Sequence, residues 1–151
     1  MTRSSLCSLL TVLLNLLVAC SAPPQEINQT SDGLAIHGYD PVAYFLDAGP
    51  REGRPEIELR WQGARWRFAT REHRQLFQDA PKRYAPQYGG YCAYAVAMGR
   101  TADIDPRAWK IAGGRLFLNY DLEVQKTWEA EQARFIAQAD RNWPSVLRAG
   151  P

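Results

Sequence analysis

The cysteine content is the feature that most constrains the fold. The chain has 151 residues and three cysteines, and two of these, Cys7 and Cys20, belong to an apolar N-terminal run. Only Cys92 remains beyond it, and a lone thiol cannot form an internal disulfide. A hydrophobic core must therefore hold the folded part together, and the 46% share of apolar residues is sufficient for one. Cys92 itself is a buried apolar residue, a metal ligand or a reactive thiol.

The N-terminal run has the pattern of a bacterial lipoprotein signal. Arg3 supplies a positive charge, and residues 9–18 are almost wholly apolar, a run shorter than the about 20 residues of a bilayer-spanning helix. The run ends in Leu-Val-Ala-Cys20, which resembles a lipobox. We predict a signal peptide over 1–19 and lipid modification of Cys20. The alternative is an ordinary signal peptide cut near Ala22.

The residues after Cys20 predict a short tether and then one domain. Residues 20–33 are polar, contain a proline pair and lack periodicity, so we expect a lipidated N-terminus and a flexible tether. Residues 34–151 have the length of a single domain. Because serine follows the cysteine, resemblance to enterobacterial sorting predicts the cell envelope, with the lipid anchor in the periplasmic face of the outer membrane.

The charge pattern argues against a nucleic-acid partner. The formal net charge is +2, and basic and acidic residues are interspersed along the chain. Proteins that bind nucleic acids concentrate basic residues on one surface instead. We therefore predict no nucleic-acid partner.

Two alternating segments predict β-hairpins. Residues 56–68 alternate apolar and polar side chains around Gln62-Gly63, and residues 109–118 flank Gly113-Gly114. A short strand is also predicted at 34–36.

Helices are predicted after three capping residues, with a further short helix at 91–98 closed by Gly99. Leu76 and Phe77 are expected to point inward, and the last helix is expected to end near Asp140. The capping residues are Asp40, Thr70 and Asp121. The order of helices and hairpins predicts a small single α+β domain with two β-hairpins and several helices.

A series of residues resembles the YHS domain, a small module found beside copper-transporting ATPases and in some oxygenases. The series comprises Asp40-Pro41-Val42, the segment from Trp61 to Thr70, Phe77 and Pro81-Lys82-Arg83-Tyr84. The continuation is similar to a bacterial exported branch of that family; it comprises Tyr84 to Ala93, Trp109, Leu116 to Tyr120 and Asn142-Trp143-Pro144. The resemblance implies a YHS-like fold for the domain at 34–151.

The family's cysteines are replaced in this chain. The family carries a cysteine soon after Asp-Pro-Val, where this chain has Ala43, and two more in a Phe-Cys-Ser-x-x-Cys segment, where this chain has residues 68–73. His73 stands at one of the three positions.

Few soft ligands remain in the predicted domain. They are His37, His73, Cys92 and Met98. Cysteine with histidine suits zinc, and the addition of methionine suits Cu(I). The leading hypothesis is an envelope lipoprotein whose domain binds copper or zinc through Cys92 with His73 or His37, in contact with a metal transporter or another envelope protein.

Two other hypotheses remain open. One is a module that binds a small molecule or a protein in an aromatic groove, with Cys92 structural. The groove residues would be Tyr84, Tyr88, Tyr91, Tyr94 and Trp109. The other is a thiol enzyme in which His73 activates Cys92; Asn119, Asp103 and Asp105 are candidates to orient the histidine by residue type alone. The sequence carries no enzyme signature, so a binding role is preferred.

Overall fold

The computed structural model of the protein describes residues 25–149. The predicted signal peptide over 1–19 and the predicted lipid attachment at Cys20 lie outside the described residues. The elements follow the chain in the order α1 (Ala43–Leu46), β1 (Arg54–Trp61), β2 (Ala64–Phe68), α2 (Arg71–Asp79), α3 (Pro81–Tyr84), α4 (Ala93–Ala97), β3 (Asp105–Ala112), β4 (Arg115–Asn119), α5 (Leu122–Ala130) and α6 (Gln132–Ala149). Strands β1 and β2 form one antiparallel sheet, and β3 and β4 form another. The predicted small α+β domain with two hairpins is confirmed.

The first hairpin packs against α2 through aromatic side chains. Leu59 pairs with Trp66 across the sheet, and the turn residues Gln62 and Gly63 have φ of 47° and 77°. Two positive φ values are typical of a type I′ turn, whose twist matches that of the strands. The Trp66 ring is fully buried and its centroid lies 5.1 Å from that of Phe77. The hairpin and α2 therefore share one core.

Helix α2 begins as predicted. The hydroxyl of Thr70 accepts a hydrogen bond from the backbone N–H of His73, 3.1 Å away, which caps the helix. Phe77 is fully buried, but Leu76 is 36% exposed, so the prediction that Leu76 points inward was wrong. Neighbouring residues on a helix point about 100° apart, and the face that Phe77 buries does not extend to Leu76.

The second hairpin lies at the centre of the fold. Gly113 and Gly114 form its turn with φ of 57° and 73°, as the sequence predicted. Phe117 and Leu118 on β4 point to opposite faces, yet both are fully buried. The Phe117 ring packs 5.3 Å from the Trp128 ring of α5. Strand β4 is therefore covered on both faces.

The C-terminal helix prediction was wrong at its middle and its end. Glu131 has φ −136° and ψ 42°, outside the helical region, so the helix that begins after Asp121 ends there and α6 starts afresh. Helix α6 then continues through Pro144 to Ala149. The side-chain amide of Asn142 donates to the backbone oxygens of residues 96 and 97 at 3.2 and 2.9 Å, so α6 also supplies hydrogen-bond donors to the end of α4.

The folded part of the chain begins before residue 34. Ile27 is 3% exposed and belongs to the core, although the sequence assigned 20–33 to the tether. The N–H of Asn28 donates to the Gly89 oxygen at 2.8 Å, and its own oxygen accepts from the Ile36 N–H at 3.0 Å. The segment that carries Ile27 and Asn28 therefore packs on the domain, and we call it the strap.

The strand predicted at 34–36 is not formed. Leu34 and Ala35 make only isolated bridges, and the Ala35 N–H donates to the Arg65 oxygen at 2.8 Å. The backbone then turns, because Ile36 and His37 have φ of 39° and 57°. Those values end an extended segment. None of the helices within residues 25–149 has both the length and the apolar character needed to cross a bilayer.

A surface network joins the centre of the fold to α6. Asp140 accepts two hydrogen bonds from the Arg115 guanidinium, at 2.6 and 3.1 Å, and one from the Tyr88 hydroxyl at 2.8 Å. The bonds from Arg115, and secondarily the bond from Tyr88, lower the pKa of Asp140 in spite of its partial burial. The carboxylate is therefore stabilised in its ionised form.

We expect acid to remove the stability that Asp140 contributes. Its folded pKa lies below the about 3.9 of an unfolded aspartate, so the contribution is present above that value and is lost as the pH falls through the folded pKa. The urea midpoint of wild type should exceed that of Asp140→Asn at neutral pH. This difference should become smaller as the pH is lowered to about one unit below the unfolded pKa. Asp79→Asn is the control, because within residues 25–149 the exposed Asp79 accepts a hydrogen bond from the neutral Gln75 alone. An Asp140→Asn difference that stays constant with pH would contradict the assignment.

Candidate ligand-binding site

Cys92 caps the short helix α4. Its sulfur accepts a hydrogen bond from the Ala95 N–H at 3.5 Å, and its S–H faces the Asn119 oxygen at 3.8 Å. The side chain is buried, with 1% of the residue exposed. Burial raises the pKa of the thiol above its ordinary value, although neighbouring N–H groups act in the opposite direction. At neutral pH the thiol is therefore protonated, which suits a capping and packing role.

A cavity of about 210 Å³ opens beside Cys92. Its lining combines small apolar side chains, two tyrosines and one arginine: Cys92, Tyr94, Ala95, Arg100, Ala102, Tyr120 and Val124. We call it the Cys92 cavity. The capping residue fixes the end of α4 that forms one wall, and the Cys92 N–H donates to the Ala102 oxygen at 3.0 Å, which fixes the facing loop.

Arg100 is the cation of this cavity. It follows Gly99, whose φ of 83° ends α4 in the left-handed conformation. Its backbone N–H donates to the Ala95 oxygen at 3.1 Å, which holds the residue at the cavity, while its side chain is exposed. Within residues 25–149 the guanidinium makes no ion pair or hydrogen bond, and its charge acts to lower the pKa of the Cys92 thiol, though less than burial raises it. The cavity thus combines apolar walls with one unpaired positive charge.

His73 lies elsewhere and is tied to a buried carboxylate. Its Nδ1 is 2.7 Å from Asp40 Oδ2, and Asp40 is fully buried. The Asp40 carboxylate also accepts from the backbone N–H groups of Val42, Ala43 and Ala69, at 2.9, 3.3 and 2.8 Å. One carboxylate therefore joins the start of α1, the end of β2 and α2. This buried hydrogen-bond network stabilises the fold.

His37 faces a second, polar cavity. Its Nε2 is 2.7 Å from Asp103 Oδ1. The cavity has a volume of about 290 Å³, and its lining is Asn28, Gln29, Thr30, Ser31, His37 and Asp103. We call it the His37 cavity.

The three predicted metal ligands make different contacts. Cys92 contacts the start of α4, His73 contacts Asp40, and His37 contacts Asp103. Within the described part of the chain, no group of three or more histidine, cysteine, aspartate or glutamate side chains is placed to hold a metal ion. Copper or zinc binding through Cys92 with His73 or His37 remains a prediction.

The predicted aromatic groove contributes one wall of the Cys92 cavity. Tyr94 lines it, whereas Tyr84, Tyr88 and Tyr91 are only 5–6% exposed and belong to the core. Trp109 packs against another ring, 5.4 Å away. The aromatic run in the sequence therefore reflects core packing more than a groove.

Sequence reasoning missed two residues of the cavity, Arg100 and Tyr120. Tyr120 directly follows β4, and Arg100 lies three residues after the end of α4, next to Gly99; both side chains are exposed. Their positions just past element ends are the available signal, because loops positioned by rigid elements often carry binding residues. Nothing in their spacing predicts that they meet.

Comparisons with protein-family models, curated proteins and solved structures found no match to this chain. The YHS resemblance, the envelope location and the partners remain predictions.

Proposed function

We propose that this protein is a lipid-anchored envelope module that binds a small organic anion with an apolar body in the Cys92 cavity. The observation that carries the proposal is the guanidinium of Arg100, which has no partner among residues 25–149 and lines a mainly apolar cavity. A single cation beside apolar walls is complementary to a ligand with one carboxylate and a hydrocarbon or aromatic group.

The cavity walls favour an apolar ligand body. Ala95, Ala102 and Val124 present methyl groups, and Tyr94 and Tyr120 add aromatic surface. Transfer of apolar surface from water into such a site contributes about 25 cal/mol per Å². Tyr120 is 55% exposed, so part of this surface is in water when the cavity is free. A ligand that covers the ring removes that exposure.

The volume limits the ligand to a small molecule. Sites for drug-sized ligands are about 300–1,000 Å³, and the Cys92 cavity has about 210 Å³. A benzoate-sized anion is the appropriate probe.

In this proposal Cys92 lines the cavity and does not act as a nucleophile. A reactive thiol needs a low pKa or a base beside it. Burial raises the pKa of Cys92, and the two histidines of the described chain make their contacts with Asp40 and Asp103. These observations favour binding over covalent catalysis.

We expect Arg100→Gln to weaken benzoate binding by about tenfold or more, because hydrogen bonds to charged groups contribute about 1.5–3 kcal/mol. The measurement is calorimetric titration of the purified chain with benzoate, benzyl alcohol and benzamidinium, which have similar size and different charge. Wild type should prefer benzoate, and Arg100→Gln should lose that preference.

Arg141→Gln is the matched control. Arg141 is exposed and lies outside the Cys92 cavity, so its replacement should leave the affinity for benzoate unchanged. Equal binding of the three probes to wild type, or equal losses in the two variants, would refute a charge-selective site at Arg100.

The lipid anchor would place this site at a membrane surface. Ile27 already packs in the core, and the seven peptide steps from Cys20 to Ile27 span at most about 25 Å when fully extended. A lipid on Cys20 would therefore keep the domain close to the bilayer, where several acyl chains give stable attachment.

We expect Cys20→Ser to move the protein from the membrane pellet to the soluble fraction, since serine has no thiol for the lipid. Cell fractionation with immunoblotting measures this. Cys7→Ser is the control and should stay in the pellet. Retention of the Cys20→Ser variant in the pellet would refute lipidation at this residue.

A further inference from the structure

The His37 cavity is separate from the proposed anion site, and its charged side chain is negative instead of positive. None of its lining residues is lysine or arginine, and Asp103 is its one carboxylate. The residues that line the Cys92 cavity do not overlap with it. Any ligand here would therefore be recognised independently of the proposed anion.

Three donors fix the carboxylate of this cavity. Asp103 Oδ1 accepts hydrogen bonds from His37 Nε2 at 2.7 Å, from Asn28 Nδ2 at 3.0 Å and from the Ile104 N–H at 2.8 Å. Asn28 is only 8% exposed, and its amide also donates to the Gly90 oxygen at 3.2 Å. Burial acts to raise the pKa of the Asp103 carboxyl. The hydrogen bonds from Asn28 and His37 act in the opposite direction, and the net result is a pKa below its ordinary value. The carboxylate is therefore ionised at neutral pH and held in position.

The backbone that presents His37 is strained. Ile36 and His37 have φ of 39° and 57°, in the left-handed region that favours glycine. Ile36 is branched at Cβ and fully buried, so surrounding contacts hold this conformation. Such strain is concentrated at binding and catalytic sites. Here it sets the position from which His37 reaches Asp103.

Two oxygen acceptors of residues that line the cavity have no hydrogen-bond partner within residues 25–149. Oδ1 of Asp103 takes all three bonds, which leaves Oδ2 free within residues 25–149. The amide nitrogen of Asn28 is used twice, which leaves its oxygen free. A carboxylate only accepts, so His37 Nε2 carries the proton of its bond to Asp103.

We infer that the His37 cavity binds a small primary ammonium ion. Such an ion supplies N–H donors and one positive charge, which complement the two free acceptors, one of them on the ionised carboxylate. The volume of about 290 Å³ leaves room for an organic substituent on the amine. A hard divalent cation takes a shell of about six or more oxygen ligands, and the cavity offers a single carboxylate.

The test is NMR titration of the purified, ¹⁵N-labelled chain with methylammonium chloride, against tetramethylammonium chloride at equal ionic strength. Both ions carry one positive charge, but only methylammonium donates N–H hydrogen bonds. We expect saturable shifts of the His37 ring nitrogens and the Asn28 side-chain amide with methylammonium alone. Equal shifts with both salts, or no saturable shift with methylammonium, would overturn the inference.

Asp103→Asn keeps the shape of the side chain and an acceptor oxygen for Asn28 and Ile104, but it removes the charge. It should weaken methylammonium binding at least about tenfold. Asp105→Asn is the control, because Asp105 lies near His37 and pairs with Arg107 but does not line the cavity. A backbone amide spectrum that matches wild type establishes that each variant is folded. Unchanged binding in a folded Asp103→Asn variant, or equal losses in both, would overturn the assignment to this carboxylate.

Discussion

Replacing Asp40 by alanine is expected to lower the free energy of unfolding by about 3–5 kcal/mol, because several buried donors lose their acceptor and each such loss costs about 1–3 kcal/mol. The variant leaves His73 Nδ1 and the N–H groups of Val42, Ala43 and Ala69 without their acceptor in the interior. Each unsatisfied buried donor is unfavourable because it has given up its bond to water. Urea denaturation monitored by tryptophan fluorescence measures the loss.

Asp47→Ala is the control for this prediction. Asp47 pairs with Arg51 on the surface, where the side chains are 35% and 50% exposed, and surface pairs contribute about 0–1 kcal/mol. A loss for Asp40→Ala no larger than that for Asp47→Ala would show that the carboxylate does not organise the junction of α1, β2 and α2.

Gly89→Ala is expected to lower the free energy of unfolding by about 2–5 kcal/mol, combining left-handed backbone strain with overpacking. Gly89 has φ of 62°, and an added Cβ would overlap the backbone oxygen of Glu26. The strap that carries Ile27 and Asn28 would have to move away from the domain. Thermal and urea unfolding measure the loss.

Gly113→Ala separates the two contributions. Gly113 has φ of 57°, close to that of Gly89, but no atom lies within 4 Å of the added Cβ. It should therefore show the backbone strain alone, about 1–2 kcal/mol. Equal losses in the two variants would show that the strap does not press on Gly89.

Local signals in the sequence were sufficient for much of the fold. The alternation around Gln62-Gly63 and the glycine pair Gly113-Gly114 predicted both hairpins, because side chains alternate between faces and type I′ turns need positive φ. Thr70 and Asp121 predicted two helix starts through the same side-chain bond to the third following residue.

The errors in the fold arise from long-range contacts. The strap was assigned to a tether because its composition is polar, and its burial depends on Gly89, about 60 residues later. Helix α6 passes through Pro144, where sequence rules end a helix, while neighbouring Asn142 bonds to α4.

The site was only partly accessible to sequence reasoning. Cys92 was singled out because it is the lone thiol of the domain, and it does line a cavity. Arg100 and Tyr120 were missed because they come to line one cavity only when β4 and α4 pack together. His73 was taken for a metal ligand by its position in the YHS resemblance, and its observed bond to Asp40 is a tertiary contact that local patterns cannot reveal.

The most direct test of the proposed function is where benzoate sits on the protein. With ¹³C-methyl labels on alanine and valine, filtered NOE spectra of the benzoate complex report which methyl groups lie beside the ligand ring. We expect NOEs from the ring protons to the methyl groups of Ala95, Ala102 and Val124, which line the Cys92 cavity. NOEs confined to methyl groups elsewhere in the protein, or no NOE at saturating benzoate, would contradict it.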